Sequence, residues 1–311
     1  MAIAEHSGGG LAAAADELME GKPVAARDTG ERTSWFQVGP LALVLVLFFG
    51  VPMLVVVAVS FFDYSRGDII PAFILDNYSE LFRSDVTLRL YLSSLKFAAI
   101  VWAVTFVLGF NVAYFLVFHV RGTLLQVALF LVCTVPFLTS NIIRMISWIP
   151  FLGRNGIFNQ MLMGSGATSA PLEFLLFSDF AVIIAYVHLF TLFMVVPIFN
   201  SMARIDRSLL EAAHDAGASR IRVMTEVVLP LSKSGIALGS IFVITLVMGD
   251  SFVVRTLSGG QSASVVSALQ NEVAALQYPP AAASAVIMVI IVTLMVAGIL
   301  RLVDVRKELA R

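Results

Sequence analysis

Apolar runs of about twenty residues, the length that crosses a bilayer's hydrocarbon core, alternate with short polar stretches along this chain. The alternation predicts six membrane-spanning helices, at about 39–62, 91–118, 123–148, 180–200, 231–250 and 280–302. Pro40 stands at the entrance of the first, and Pro52 predicts a kink within it. The connections differ in character. Residues 63–90 are polar and carry Asp63, Asp68, Asp76, Glu80 and Asp85, enough chain to pack over the mouth of the protein. His119-Val120-Arg121-Gly122 makes a tight link, 149–178 reads as an irregular loop, and 263–276 as a weak amphipathic helix. Residues 1–38 have no apolar segment and no charged start leading into one, so they read as a mostly disordered tail and not as a signal peptide. Residues 303–311 form a second tail.

The polar stretch 204–233 stands apart from the connections around it. Ile205, Leu209, Ala213 and Ala216 recur at the spacing of one helical face, and Ile221, Met224 and Val228 repeat it with Val223 and Val227 alongside. Gly217 falls between the two patterns, where a left-handed cap ends a helix at no steric cost. Ser219 is placed to cap the second helix and Pro230 to stop it. Ser208 and Glu211 have the spacing of a capping box for the first. The prediction is a helix–turn–helix too polar to enter a bilayer.

Composition fixes the class. With 59% hydrophobic and 13% charged residues, the chain has too few charges to cover its apolar surface in water. The expected fold is an all-α integral membrane protein. Thirteen Lys and Arg fall in 1–38, at Arg121, in 204–233 and from Arg301 onward, against seven on the alternate side. The positive-inside bias therefore places both termini and the helix–turn–helix in the cytoplasm. The net charge of −1 says nothing about nucleic acid, but no basic patch with interleaved aromatics is present, so lipid and not nucleic acid is the expected partner, and the single Cys133 excludes an intrachain disulfide.

Catalytic chemistry has little support. No GxxxxGK[ST] loop cradles phosphates, and the four histidines lie in four different segments without ligand spacing, so no catalytic and no metal site is expected. The costly groups are ionisable ones near the spans. Asn141, Arg144 and Trp148 towards the end of the third span, and Asp250 at the end of the fifth, are candidates for a solute pathway. For Arg144 the alternative is snorkelling to headgroups, and for Asp250 a helix-end role. Asp179, beside Ser178, reads as the cap of the fourth span. Trp102, Trp148 and Tyr186 read equally as packing or interface residues.

Glu211-Ala212-Ala213, three residues, Gly217, nine residues, then Val227-Val228-Leu229-Pro230 resembles the EAA loop of ABC importer permeases, with Val227 where Ile is commonest. The stretch 141–159, with Arg144, Trp148, Gly153, Gly156 and Asn159, is similar to the third-span exit of polyamine-type permeases. Gly249-Asp250-Ser251-Phe252-Val253 with Leu257-Ser258-Gly259-Gly260 resembles their fifth-span exit, and Tyr278-Pro279-Pro280 the entry to their last span. The sequence departs from that pattern at Ser251, an insertion, at Arg255 and at Ser258.

The resemblance implies a type I importer permease, with a core at 91–302, a coupling loop at 204–233 and a periplasmic segment at 63–90. Glu211, Ala212, Ala213, Gly217, Val227, Leu229 and Pro230 would then form the surface that docks on the ATPase. It implies two cytoplasmic ATPase subunits, which hold ATP and Mg, a second homologous permease, a periplasmic solute-binding protein and a bacterial inner-membrane location. This chain itself would hold no cofactor. The implied solute is a polyamine such as putrescine or spermidine, or an amino-acid-like compound. The contrasting class, an ion-gradient-driven secondary transporter, calls for internal repeats and midplane carboxylates that the sequence does not display.

Overall fold

The computed structural model describes residues 39–65 and 68–303. The expected tail 1–38, Arg66 in the 63–90 segment and residues 304–311 lie outside the described residues. The chain divides into two units, Met1–Leu54 and Val55–Arg311. The described part of the first unit is helical and belongs to helix α1, Gly39–Val59. Its π turn at Val46–Gly50 comes just before Pro52, which has no N–H for the preceding turn.

In the second unit, strands β1, Asp63–Ser65, and β2, Asp68–Ile70, pair antiparallel with Tyr64 opposite Ile69. Helix α2, Asp76–Arg83, follows, and the Asn77 amide donates to the carbonyls of Ser60 (3.0 Å) and Phe62 (2.8 Å). The 63–90 segment thus holds an antiparallel strand pair and a helix, and its last residues already belong to α3, Asp85–His119. Ser84 caps α3 by accepting from the Thr87 N–H.

The third predicted span does not run straight. Helix α4, Thr123–Leu138, tightens to a 3-10 turn at Val135–Leu138 around Pro136. Thr139 and Ser140 then leave the helical region (ψ 148° and 135°). The following segment, Asn141–Gly164, departs at 88° to α4. It comprises α5, Asn141–Leu152, and α6, Ile157–Gly164, so the stretch 149–178 is more helical than its composition predicts. Asn159 pins it, donating to the Gly153 and Leu172 carbonyls and accepting from the Leu172 N–H.

Helix α7 is Asp179–Met202. Its cap is Ser178, whose hydroxyl accepts from the Ala181 N–H, and not Asp179 as the sequence predicts. Asp179 instead pairs with Lys96 at 2.6 Å and accepts from the Ser262 hydroxyl, joining α3 and α7 to the loop ahead of the last two helices. Helices α8, Arg207–Asp215, and α9, Arg220–Leu231, come next. A bend of 71° separates α9 from α10, Lys233–Gly249. The chain ends in α11, Phe252–Leu257, α12, Val265–Ala274, and α13, Tyr278–Leu302.

By length and composition, α1, α3, α7 and α13 suffice to cross a membrane, and the number rises to six if each bent pair is one span. The core lies where α3, α7 and α10 meet, around Phe97, Val101, Tyr186, Met194, Ile198, Val243 and Met248. Gly235 lets α10 approach α7 so closely that a Cβ there would collide with the Pro197 carbonyl oxygen. Large apolar side chains face outward, Leu124 and Leu302 with more than four-fifths of their surface exposed. Lipid tails solvate such a surface and water does not.

Candidate functional site

Two sites sit at opposite ends of α7 and α10. The first is the α8–α9 pair. Asp206 caps α8 by accepting from the Ser208 N–H at 3.0 Å, a bond that holds its carboxyl below the usual carboxylate range. The helix therefore starts one residue before Ser208, and the predicted Ser208–Glu211 capping box does not form. Glu211 and Ala212 are exposed, Ala213 is half-buried, and Glu211 makes no side-chain hydrogen bond among the described residues.

The helix ends as predicted at Gly217, with φ +82°. The Ala218 N–H reaches the Ala213 carbonyl (3.0 Å) and the Gly217 N–H the His214 carbonyl (2.9 Å), the paired bonds of a Schellman cap. Ser219 caps α9 through the Arg222 N–H.

The buried face of α9 is the predicted one except at Ile221. Val223 and Val228 are buried, Val227 and Leu229 half-buried, and Ile221 is 72% exposed. A π turn at Met224–Val228 inserts an extra residue and rotates the helix face. The helix then continues through Pro230 to Leu231, because that turn absorbs the missing proline N–H. The Arg207 guanidinium donates to the Val117 carbonyl at 3.0 Å, tying α8 to the end of α3. A cavity of about 610 Å³ opens beside α8, with Asn200, Ser201, Arg204, Asp206 and Ser234 among its polar walls.

The second site lies toward the other end of α7. Asp250, just beyond α10, accepts on Oδ1 from the Tyr186 hydroxyl at 3.1 Å and the Val253 N–H at 2.9 Å. The carboxylate is thereby fixed at the start of α11. Arg144 on α5 is 8% exposed and turns back on the bend. Its Nη2 donates to the Thr139 carbonyl (3.0 Å) and Asn141 Oδ1 (3.3 Å), with the guanidinium 5.8 Å from the Phe137 ring centroid. It does not snorkel along an exposed surface, and its Nε is buried without a partner. The Trp148 indole donates to His188 Nδ1 at 3.3 Å, and the two rings meet edge to face.

Asn141 and Asp250 share the wall of a cavity of about 460 Å³ with Leu189, Phe190, Thr245 and Phe252. Arg144 and Trp148 stand outside that wall, Arg144 joined to it through Asn141. Tyr186 and His188 belong to the cluster although the sequence marks neither as part of it. Each has a partner distant in sequence, Tyr186 in Asp250 just beyond α10 and His188 in Trp148 on α5. A carboxylate and aromatic rings in an apolar cavity suit an ammonium group with a methylene chain. Among the described residues, no group of three or more His, Cys, Asp or Glu is placed to hold a metal.

No family model matches the chain. The spermidine/putrescine transport system permease protein PotB of Haemophilus influenzae is 34% identical over 230 residues, covering 73% of this chain and 79% of that protein. PotB of Escherichia coli (strain K12) is 35% identical over 217 residues, 70% of this chain and 77% of that protein. The inner membrane ABC transporter permease protein YdcU of the same strain is 26% identical over 280 residues, 85% of this chain and 87% of that protein. Among solved structures, a bacterial ABC transporter involved in the import of the acidic polysaccharide alginate superposes with a TM-score of 0.70 at 16% identity, covering 87% of this chain and 96% of that chain. At that identity the likeness is one of fold.

Proposed function

The chain belongs to the family of PotB permease proteins, and from that premise we propose that it is a membrane subunit of an ATP-driven importer of a small nitrogenous solute, of the polyamine or amino-acid-like kind. In this reading the two bent helix pairs each complete a span, giving six, in a bacterial inner membrane. Both termini and the α8–α9 pair lie in the cytoplasm. Two ATPase subunits bind and hydrolyse ATP with Mg, a second, homologous permease completes the pore, and a periplasmic binding protein delivers the solute. The chain itself catalyses nothing.

The observation that carries the reading is the geometry of 204–233. The stretch folds into a capped helix, a left-handed glycine and a second helix, with Val223 and Val228 buried and Glu211 and Ala212 exposed. Such a pair is fixed to the membrane helices on one side and free to dock on the other. An ATPase that closes on ATP would move it as a lever, shifting the pore between its two states. Purification from detergent together with the neighbouring gene products tests this. Co-elution of an ATPase, with ATP-driven uptake of putrescine or a related amine after reconstitution, is the expected result. A chain that elutes alone and moves its solute on an ion gradient overturns the reading.

A further inference from the structure

The cavity shared by Asn141 and Asp250 is electrically one-sided. Among the described residues, Asp250 is the only ionisable one in its wall. Its Oδ1 is occupied by Tyr186, which is 1% exposed, and by the Val253 N–H. The Phe252 N–H also faces the carboxylate, and two carboxylate oxygens offer about four acceptor sites, so one is left for an incoming donor. Across the cavity, the orientation of Asn141 is dictated by its neighbour. A guanidinium only donates, so the amide turns its oxygen to Arg144 and keeps both N–H groups of Nδ2 for the cavity. Behind that amide lies a buried cation with an unpartnered Nε and no carboxylate within ion-pair distance among the described residues. An unpaired buried charge is unfavourable, and an arriving anion relieves it. Leu189, Phe190 and Phe252 supply apolar surface in the same wall.

We propose that this cavity takes an unbranched ω-amino acid, with its ammonium on Asp250 and its carboxylate on the Asn141 amide in the field of Arg144. The proposal rests on the permease reading and narrows its solute. A diamine fits less well: its first ammonium has Asp250, but its second meets amide donors and a guanidinium instead of a second carboxylate. Arg144 acts as a positioning residue, since it sets which end of Asn141 faces the solute.

The test is ATP-driven uptake by the complete transporter in proteoliposomes, with radiolabelled 4-aminobutyrate and putrescine measured side by side. Wild type should import 4-aminobutyrate at least as fast as putrescine. Asn141→Asp keeps an acceptor oxygen for Arg144 and puts another acceptor where the amide donors were. It should lower the ratio of 4-aminobutyrate to putrescine uptake by about tenfold or more, the effect of losing one hydrogen bond to a charged group. Asp250→Asn should depress uptake of both. The binding protein is the same for every variant, so a change in ratio belongs to this chain. An unchanged ratio in Asn141→Asp, or a wild type that imports putrescine alone, overturns the proposal. The latter leaves the permease reading standing. Import of neither compound nor of any other amine overturns both.

Discussion

Met194 of α7 fills the notch that Gly239 leaves in α10: a Cβ at Gly239 would come within 2.8 Å of the Met194 sulfur and 3.2 Å of its Cα. On the other side of the same residue, a Cβ at Gly109 of α3 would lie 2.8 Å from Met194 Cγ. One methionine therefore keys three helices together, and the fit needs glycine on both flanks. Gly239→Val should destabilise the bundle by about 1–3 kcal/mol, the usual cost of overpacking. Scanning fluorimetry in detergent reads this as a lower unfolding temperature. Met194→Ala in the same chain should restore part of the loss, because it removes the sulfur but not the backbone contact. A Gly239→Val protein as stable as wild type would show that the helices do not pack this closely.

Gly217 poses the opposite problem. Nothing lies within 4 Å of a Cβ built there, so its requirement is conformational alone. At φ +82° a β-branched side chain costs about 1–2 kcal/mol, enough to turn the angle between α8 and α9 and far too little to unfold the protein. Gly217→Val should reach the membrane at wild-type level and lose uptake, whereas Gly217→Asn, which tolerates this conformation, should keep most of it. Equal loss in both variants would point to a requirement other than backbone angle.

The Arg144 guanidinium touches Phe137, Thr139 and Asn141, all on the turn that joins α4 to α5. It therefore staples the 88° bend. Arg144→Ala leaves the Thr139 carbonyl without this donor, and the bend should loosen. Spin labels on exposed Leu124 and Met161 should give a broader distance distribution in the variant than in the parent. An identical distribution would confine Arg144 to an electrostatic role.

Much of this architecture was legible in the sequence, and the remainder fails for physical reasons. The apolar run behind α7 marks its own length, and Ser178 with Asp179 marks its start. Both residue types cap helices, however, so only the structure shows that Ser178 takes the cap and frees Asp179 for Lys96. The same ambiguity put the α8 cap at Ser208 instead of Asp206. Pro52 and Pro230 are visible as breakers, but each is preceded by a π turn ending two residues earlier that lets its helix continue. Pro136 has no such turn before it, and there the chain bends. Asn141, Arg144 and Asp250 stand out as polar groups near apolar runs. Tyr186 does not, because its partner Asp250 is 64 residues away, in the link between α10 and α11.

Glu211 allows capping and coupling to be separated. The cap belongs to Asp206, and Glu211 lies beyond the first turn of α8, exposed and without a hydrogen-bond partner among the described residues. Glu211→Gln should therefore leave the stability and membrane level of the protein unchanged. Any loss of ATPase co-purification or of solute-stimulated ATP hydrolysis must then come from the missing charge at a docking surface. Glu211→Lys should deepen that loss by reversing the charge. Asp206→Ala should act differently, fraying α8 and increasing hydrogen exchange at the Ser208 amide. Acidification should reproduce the Asp206 effect. Because the folded-state pKa is depressed, the bond's contribution is present above the ordinary carboxylate value of about 3.9 and is lost as pH falls through the lower, folded value. At neutral pH the cap is intact, so transport measured there reports on Glu211 alone. Wild-type uptake and ATPase binding in both Glu211 variants would remove this helix from the coupling surface.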